Sequence, residues 1–205
     1  MDVWFESGDF RIGHERRLGR FPLLYDYVMS GHAPGPFAIR LGRYFVRLSI
    51  RPFRLHDLLR IVGGKKHLLL DVKGRHDRQT AQRFARNLVQ CINEGDAGAW
   101  VTVCGQTYAV LDALRKEAAP FPIRYSMERP DQWDRFVKRM GEDASVRAAC
   151  IQHKLLNQQR LREARDAGVN LFCWTVDDPA VAERLIESGV HGIISNDLAL
   201  LAGLA

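Results

Sequence analysis

Short apolar runs alternate with amphipathic stretches from residue 67 to the end of the chain. Residues 67–73 form an apolar run with a polar end, which is typical of a buried β-strand. Apolar residues then recur every three or four positions from Ala81 to Ile92, which predicts a helix over 77–94. The same alternation predicts strands at 99–104, 123–127, 148–153, 170–176 and 192–195, helices at 107–118, 130–140, 158–167 and 179–188, and a short helix at the C-terminus.

Six strand–helix units in succession indicate a parallel sheet covered by helices. Two architectures have this pattern, an open doubly wound sheet and a closed (β/α) barrel. The chain has no Gly-x-Gly-x-x-Gly turn, so a dinucleotide-binding sheet has less support. A barrel, as a single domain over residues 1–205, also explains the polar strand ends, because these ends converge on one face: Asp71 and Lys73, Gln106, Glu128, His153 and Lys154, Trp174 and Thr175, Asn196 and Asp197.

The first 66 residues are less regular. Residues 3–6 and 10–14 predict two short strands joined at Ser7-Gly8, and residues 31–36 predict a loop. The stretch 37–51 predicts a helix, because arginines and apolar residues recur at helical spacing on opposite sides. The basic side carries Arg40, Arg43, Arg47, Arg51 and Arg54, and the apolar side carries Phe37, Leu41, Tyr44, Phe45 and Leu48.

Charge is spread unevenly along the chain. The net charge is +6, and residues 1–66 hold 12 Lys/Arg against 6 Asp/Glu, so the remainder is neutral. Such asymmetry suggests an anionic partner for the first third. The arginine stripe fits either the solvated face of a barrel-covering helix or a helix that lies on an anionic membrane surface. Nucleic acid is not expected as a partner, because no recognised nucleic-acid motif accompanies the charge.

Composition places the chain among ordinary globular proteins of one domain, with 46% apolar and 26% charged residues in 205. The sequence contains no run of about 18 apolar residues, so no membrane-spanning helix is expected. The N-terminus does not have the pattern of a signal peptide. The cysteines form no Cys-x-x-Cys pair, and three of the four lie in apolar stretches, which favours small buried residues in a reducing cytoplasm: Cys91, Cys104, Cys150 and Cys173.

Three motifs carry a resemblance to one family. Residues 171–197 read Leu-Phe-Cys-Trp-Thr-Val-Asp-Asp-Pro through Gly-Val-His-Gly-Ile-Ile-Ser-Asn-Asp, residues 71–73 read Asp-Val-Lys, and Asp2-Val3 leads through Gly8 to His14-Glu15. This set resembles the glycerophosphodiester phosphodiesterases, which end with Trp-Thr-Val and Gly-Val-Asp-Gly-Ile-Ile, and which carry Glu-x-Lys and Glu-x-Asp-Val followed by His-Asp. The resemblance covers nearly the whole chain and is weakest over residues 20–60.

The resemblance implies a (β/α)8 TIM-type barrel with a phosphodiester site at its carboxyl-terminal face. Asp2 and Asp71 are implied to bind a divalent metal, Mg²⁺ or Ca²⁺, and Lys73 to face the phosphate. His14 is implied as a catalytic acid or base. Strand alternation with Phe172 favours an inward side chain for Trp174 at the end of its strand, where it would line the substrate site, and ordinary core packing is the alternative. His153 is a weaker candidate at another strand end, and His191 is expected to be structural.

Two departures from the family's pattern matter. Asp71 stands where the family has Glu, which shortens the ligand by one methylene. The family's first strand, which carries His-Arg-Gly, would lie upstream of Met1, so the barrel is expected to lack that strand. The predicted function is metal-dependent hydrolysis of glycerophosphodiesters to glycerol 3-phosphate and an alcohol, in the cytoplasm or peripheral to the membrane. The alternatives are an inactive relative that binds phosphate or lipid headgroups, and a membrane-surface protein that uses Arg40, Arg43, Arg47 and Arg51.

Overall fold

The structure is a computed structural model that describes residues 1–13, 17–18, 21–25, 38–41, 44–47 and 53–204. The chain divides into two compact units. The first comprises residues 1–103 and 112–122, and the second comprises residues 104–111 and 123–205. Strand β9 (Val101–Gly105) and helix α3 (Tyr108–Lys116) are each divided between them.

The main sheet of the first unit has the predicted N-terminal hairpin beside a parallel strand. β1 (Asp2–Glu6) pairs antiparallel with β2 (Asp9–Ile12) on one side and parallel with β8 (Leu68–Val72) on the other. The short strand β7 (Phe53–Arg54) pairs with the outer edge of β2. The strand order is therefore β9-β8-β1-β2-β7.

A second sheet of this unit contradicts the helix predicted over residues 37–51. Its four strands are antiparallel and run in the order β3-β4-β6-β5. The residues of this region favour strands, because Ile39, Tyr44 and Val46 have high β-propensity and Gly42 would weaken a helix interior. The strands are β3 (Arg17–Leu18), β4 (Phe21–Tyr25), β5 (Ala38–Leu41) and β6 (Tyr44–Arg47).

The arginine stripe loses its helical basis with this correction. Arg40 belongs to strand β5 and Arg47 to strand β6. Arg43 and Arg51 lie outside the described residues. Arg54 lies in β7 and forms an ion pair with Asp9, with 3.3 Å between Nη1 and Oδ2. The membrane-surface prediction depended on one amphipathic helix, so it no longer has structural support.

Two helices of the first unit lie on either side of β8 in the sequence. Helix α1 (Leu55–Val62), which the sequence pattern did not predict, ends at Gly63 in the left-handed region at φ 51°. Helix α2 (Arg78–Glu94) confirms the prediction for 77–94, and the Asp77 side chain caps it by accepting from the Thr80 amide at 2.7 Å. Its buried residues include Phe84, whose ring lies 5.1 Å from that of Phe10 and 5.3 Å from that of Phe5. This contact packs α2 against one face of the hairpin.

The second unit repeats strand and helix as the pattern predicts. Its strands are parallel in the order β10-β11-β12-β13, with Tyr125 paired to Ala149 and Cys150 to Phe172. Asn157, Asp178 and Asp197 cap three of its helices with their side chains. The elements are β10 (Ile123–Met127), α4 (Pro130–Glu142), β11 (Ala148–Gln152), α5 (Gln158–Asp166), β12 (Asn170–Trp174), α6 (Pro179–Glu187), β13 (Gly192–Ile193) and α7 (Leu198–Gly203).

The cysteines confirm the expectation of small buried residues. Cys104, Cys150 and Cys173 are buried, Cys91 is half-buried, and all four are free thiols. Burial raises the pKa of Cys91 to about 11 and that of Cys173 to about 12, so neither is a thiolate at neutral pH. None of the described helices is long and apolar enough to cross a membrane.

Candidate active site

The register of β1, β2, β7 and β8 gives this sheet two different faces. Paired residues point to the same side of a sheet and alternate along each strand. One face carries Val3, Phe5, Phe10, Ile12 and Val72, which form the core with α2. The opposite face carries the polar set Asp2, Trp4, Glu6, Asp9, Arg11, Arg54 and Asp71.

Asp2, Asp71 and Lys73 come together on this polar face as the sequence predicts. Asp2 and Asp71 are register partners in adjacent parallel strands. Lys73 follows β8 by one residue, and its amide donates to the Val3 carbonyl at 3.0 Å, which continues the ladder. Its Nζ lies 2.6 Å from Asp71 Oδ2 and 3.8 Å from Asp2 Oδ1. The three side chains therefore form one charged cluster at the carboxyl end of β8.

Burial controls the electrostatics of Asp71. Desolvation raises the pKa of its carboxyl group above the usual range, although the Lys73 ammonium acts in the opposite direction. Asp71 Oδ1 is buried and has no hydrogen-bond partner among the described residues. A buried carboxylate oxygen without a hydrogen-bond partner is costly. Oδ1 is therefore suited to accept a hydrogen bond from a ligand or to coordinate a metal ion.

The cluster meets the minimum requirement for a hard divalent cation. Mg²⁺ and Ca²⁺ prefer oxygen donors, and Mg²⁺ is commonly held by one or two carboxylates together with substrate phosphate oxygens. Asp2 and Asp71 supply two carboxylates, and Asp71 Oδ1 is an unpartnered donor. Within the described ranges, no group of three His, Cys, Asp or Glu side chains could hold a metal by itself, so the fit depends on oxygens from a substrate.

The second unit places Trp174 and His153 at the carboxyl ends of two neighbouring strands. Trp174 ends β12 and is the register partner of Gln152, and His153 follows Gln152 directly. Trp174 Nε1 and His153 Nδ1 are both buried, with no hydrogen-bond partner in the part of the chain that the structure describes. Their role as site residues stays a prediction. His191 accepts from the Leu171 amide at 3.2 Å, which fits the expected structural role.

His14 lies outside the described residues, as do the side chains of Arg40 and Arg47. The catalytic role predicted for His14 therefore stays a prediction. The geometry of the described cluster is independent of it, because Asp2, Asp71 and Lys73 contact one another directly.

Sequence reasoning missed Trp4 and Arg11 on the same polar face. Trp4 Nε1 donates to the Gly13 carbonyl at 3.1 Å, and Arg11 Nε donates to Glu6 Oε1 at 3.2 Å. Strand alternation contained a signal for Arg11, because a charged residue between Phe10 and Ile12 must point away from the core. Its burial on that side was not predictable from the hairpin alone.

A buried glutamine, also missed, organises strand ends in the second unit. Gln132 Oε1 accepts from the amides of Glu128 and Arg129 at 2.8 and 3.0 Å, and its Nε2 donates to Gln106 Oε1 at 3.1 Å. Both polar atoms of the buried Gln132 side chain thereby form hydrogen bonds. It fixes the backbone after β10 and the side chain of Gln106 together.

Comparison with known proteins identifies a family over most of the chain. The model of the glycerophosphoryl diester phosphodiesterase family matches residues 47–200, about three quarters of the sequence. Asp71, Lys73 and Trp174 lie inside the matched range, whereas Asp2 and Arg11 precede it. No curated protein sequence matches the chain.

Solved structures of low sequence identity share the fold. A glycerophosphodiester phosphodiesterase from Parabacteroides distasonis ATCC 8503 is 15% identical with a TM-score of 0.68, over 100% of this chain and 83% of that one. A phosphodiesterase from Oleispira antarctica, in complex with the product sn-glycerol-3-phosphate, is 15% identical with a TM-score of 0.65, over 95% of this chain and 78% of that one. A protein from Silicibacter pomeroyi DSS-3, assigned to the glycerophosphoryl diester phosphodiesterases, is 22% identical with a TM-score of 0.64, over 76% of this chain and 58% of that one.

Proposed function

Because this chain belongs to the glycerophosphoryl diester phosphodiesterase family, we propose that it hydrolyses glycerophosphodiesters to sn-glycerol 3-phosphate and an alcohol. The observation that carries the proposal is the cluster of Asp2, Asp71 and Lys73 on the polar face of β1 and β8. The Lys73 ammonium group can bind an anionic substrate at this strand end, and the carboxylates of Asp2 and Asp71 can bind a divalent metal that arrives with the substrate.

The reaction needs charge neutralisation and two proton transfers. A base takes a proton from a water molecule as its oxygen forms a bond to phosphorus, the bond from phosphorus to the alcohol oxygen breaks, and an acid gives a proton to the departing alkoxide. The resemblance assigns one proton transfer to His14. A divalent cation held by Asp2 and Asp71 would supply Lewis-acid stabilisation of the phosphoryl oxygens.

Lys73 binds the charge of the phosphate in this proposal. Its ammonium group has three donors, and it is held within 3.8 Å of both carboxylates before substrate arrives. This arrangement keeps the side chain in place, so that little reorganisation is needed when a phosphate oxygen becomes an acceptor. The buried Oδ1 of Asp71 remains on the same group for a metal ion.

The test is release of glycerol 3-phosphate from glycerophosphocholine with Mg²⁺ or Ca²⁺ and then with chelator. Lys73→Met is expected to lower kcat/KM by about 10²–10³-fold, because one preorganised donor to the phosphate is lost. Asp71→Asn should reduce activity at least as much and weaken the metal dependence. Lys138→Met is the matched control, since Lys138 is an exposed lysine on α4, and its activity should equal that of the wild type. Equal activity of the Lys73 and Lys138 variants would contradict the proposal.

One observation favours a binding protein as a second candidate. Lys73 already neutralises much of the charge on Asp71 at 2.6 Å, and this contact competes with a metal ion. A protein of this kind would bind glycerol 3-phosphate or phosphate headgroups without cleaving a diester. Calorimetric binding of glycerol 3-phosphate by a wild-type protein that shows no turnover with either metal would favour this candidate.

A further inference from the structure

We propose that Arg11 is a second cation for the phosphate group of the ligand, on the same face of the sheet as Lys73. The inference rests on the proposed function only in taking a phosphate-containing ligand for the cluster of Asp2, Asp71 and Lys73. It assigns phosphate recognition to a residue of the hairpin β1–β2, which precedes the range matched by the family model.

Arg11 is buried, and only part of its guanidinium group forms hydrogen bonds among the described residues. The residue is 3% exposed. Its Nε contacts Glu6 Oε1 at 3.2 Å, whereas its buried Nη2 has no hydrogen-bond partner among the described residues. A guanidinium carries five donors in a fixed fork, and burying one of them without an acceptor is costly. Nη2 is therefore a donor that an oxyanion could satisfy.

The guanidinium extends toward the cluster along the hairpin. A Cβ atom on Gly13 would lie 3.2 Å from Arg11 Nη1. The Arg11 side chain therefore packs against Gly13, where a larger residue would crowd it. Gly13 is opposite Asp2 in the ladder, and its amide donates to the Asp2 carbonyl at 3.1 Å. Nη1 therefore lies close to the level of the sheet at which Asp2 and Asp71 are paired.

Trp4 borders Arg11 and the residue that follows Lys73. The Arg11 Cζ atom is 5.6 Å from the centre of the Trp4 ring. On another side, Trp4 Cζ3 lies 3.9 Å from where a Cβ of Gly74 would stand, directly after Lys73. The indole is itself held by the hydrogen bond from Nε1 to the Gly13 carbonyl. Arg11 and the residue after Lys73 thus border the same aromatic ring.

Phosphate is the ligand class that this combination fits. Arginine binds phosphate with two parallel N–H donors, and lysine acts on it as a point charge. Arg54, on the same face, differs from Arg11 because its side chain is 39% exposed and forms a surface ion pair with Asp9. Arg54 therefore serves as the matched control for charge alone.

The test is calorimetric titration of glycerol 3-phosphate into the wild type and into the Arg11→Met, Arg11→Lys and Arg54→Met variants. Arg11→Met should weaken binding about 10- to 100-fold, because charge-assisted hydrogen bonds are lost. Arg11→Lys should recover part of the loss, since the charge remains without the fork. Arg54→Met should stay within about twofold of the wild type, because an exposed pair contributes little. Binding by Arg11→Met within twofold of the wild type would overturn the inference.

A purely structural role for Arg11 predicts a different set of results. In that case Glu6→Gln, which weakens the contact with Nε, should reduce stability and ligand binding together. Under the proposal Glu6→Gln reduces stability alone. If Arg11→Met does not fold, the ¹⁵N signal of the Arg11 side chain in the wild type decides, with assignment by Arg11→Lys. A shift on addition of glycerol 3-phosphate supports the proposal, and no shift at saturation overturns it.

The outcome for Arg11 is separable from that for the proposed function. Loss of binding in Lys73→Met with unchanged binding in Arg11→Met would overturn the inference and leave the phosphate site intact. Loss in both variants without diester turnover would support Arg11 and contradict hydrolysis. A wild type that does not bind glycerol 3-phosphate would overturn the role of Arg11.

Discussion

Gly192 leaves room for the Phe172 ring, and the buried guanidinium group of Arg124 packs on that ring. A Cβ on Gly192 would lie 2.8 Å from the Phe172 ring, and the Arg124 guanidinium carbon lies 3.6 Å from the centre of that ring. Arg124 is 9% exposed, and Nη1 donates to the Asn170 carbonyl at 3.1 Å. Burial lowers the pKa of this guanidinium, because it disfavours the charged form. The cation–π contact with the Phe172 ring offsets part of this desolvation cost.

Gly192→Ala should destabilise the protein by about 1–3 kcal/mol, because the added methyl group forces the Phe172 ring away from Arg124. Urea unfolding measures the effect. Gly141→Ala is the matched control, since nothing lies within 4 Å of the added atom on α4; it should stabilise by about 0.5–1 kcal/mol through helix propensity. Equal effects of the two substitutions would contradict this packing.

At the same scale, the candidate site was predicted in part. Asp2, Asp71 and Lys73 were identified from motif positions, and the structure places their side chains in contact, whereas their metal-binding and phosphate-binding roles stay predictions. Trp4 and Arg11 were not identified, because a hairpin pattern does not reveal whether its polar face will be covered. The partners of Nη2 of Arg11 and Oδ1 of Asp71 depend on neighbours that only the folded chain brings close.

At the scale of elements, β5 and β6 decide between two interpretations of one arginine-rich stretch. In the helix predicted over 37–51, residues 39 and 46 would share a face, since they are seven positions apart. In the observed sheet they are cross-strand partners and also share a face, but their exposure differs, because Val46 is 1% exposed on a central strand and Ile39 is 51% exposed on the outer strand. The same two residues therefore provide a test.

Val46→Thr should lower the free energy of unfolding by about 1–3 kcal/mol, because a hydroxyl group is buried. Ile39→Thr should change it by less than about 0.5 kcal/mol, as expected for an exposed position. Chemical denaturation of both variants measures the difference. Equal losses would contradict the placement of Val46 on a central strand and of Ile39 on an outer strand.

The cap of α2 makes stability depend on pH in a defined direction. The hydrogen bond from the Thr80 amide lowers the pKa of Asp77 below its usual 3.8. Its contribution is therefore present above pH 3.8 and is lost as the pH falls through the lowered pKa. Asp77→Asn keeps the acceptor but removes the titration.

The advantage of the wild type over Asp77→Asn should shrink as the pH falls from 5 to below 3. Urea midpoints at a series of pH values check this expectation. Asp77→Ala is the control that removes the cap itself, and it should be less stable than Asp77→Asn throughout the range. A wild-type advantage that grows on acidification would contradict the direction of the pKa shift.

At the scale of the whole molecule, the predicted fold class is confirmed. The chain belongs to a family with a TIM-type barrel fold, and each unit contains the parallel strands and helices of an α/β protein. From residue 67 onward the predicted elements correspond to observed ones, because the strands are short and mainly apolar and four of the helices begin at a side-chain cap. The single domain predicted for residues 1–205 stays a prediction.

If Asp2 and Asp71 bind Mg²⁺ as proposed, the metal should also stabilise the folded chain. Mg²⁺ at 100 times its Kd should raise the free energy of unfolding by about 2.7 kcal/mol, and chelator should reverse this. The double variant Asp2→Asn/Asp71→Asn should lose the effect, and Asp9→Asn, on the same face but paired with Arg54, should keep it. Equal stabilisation by Mg²⁺ of the double variant and the wild type, measured as Tm, would contradict the assignment of the two carboxylates.

The sequence by itself determined the alternation of strands and helices after residue 67 and the positions of Asp71 and Lys73 at a strand end, because these depend on local periodicity. Only the tertiary structure decided that residues 38–47 pair as strands and that Arg11 is buried beside Trp4. The physical reason is that strand pairing and the burial of a charge depend on neighbours distant in sequence. In Asp2 and Asp71 the two contributions meet, since each carboxylate was identified from its motif but their pairing required two strands 69 residues apart to become adjacent.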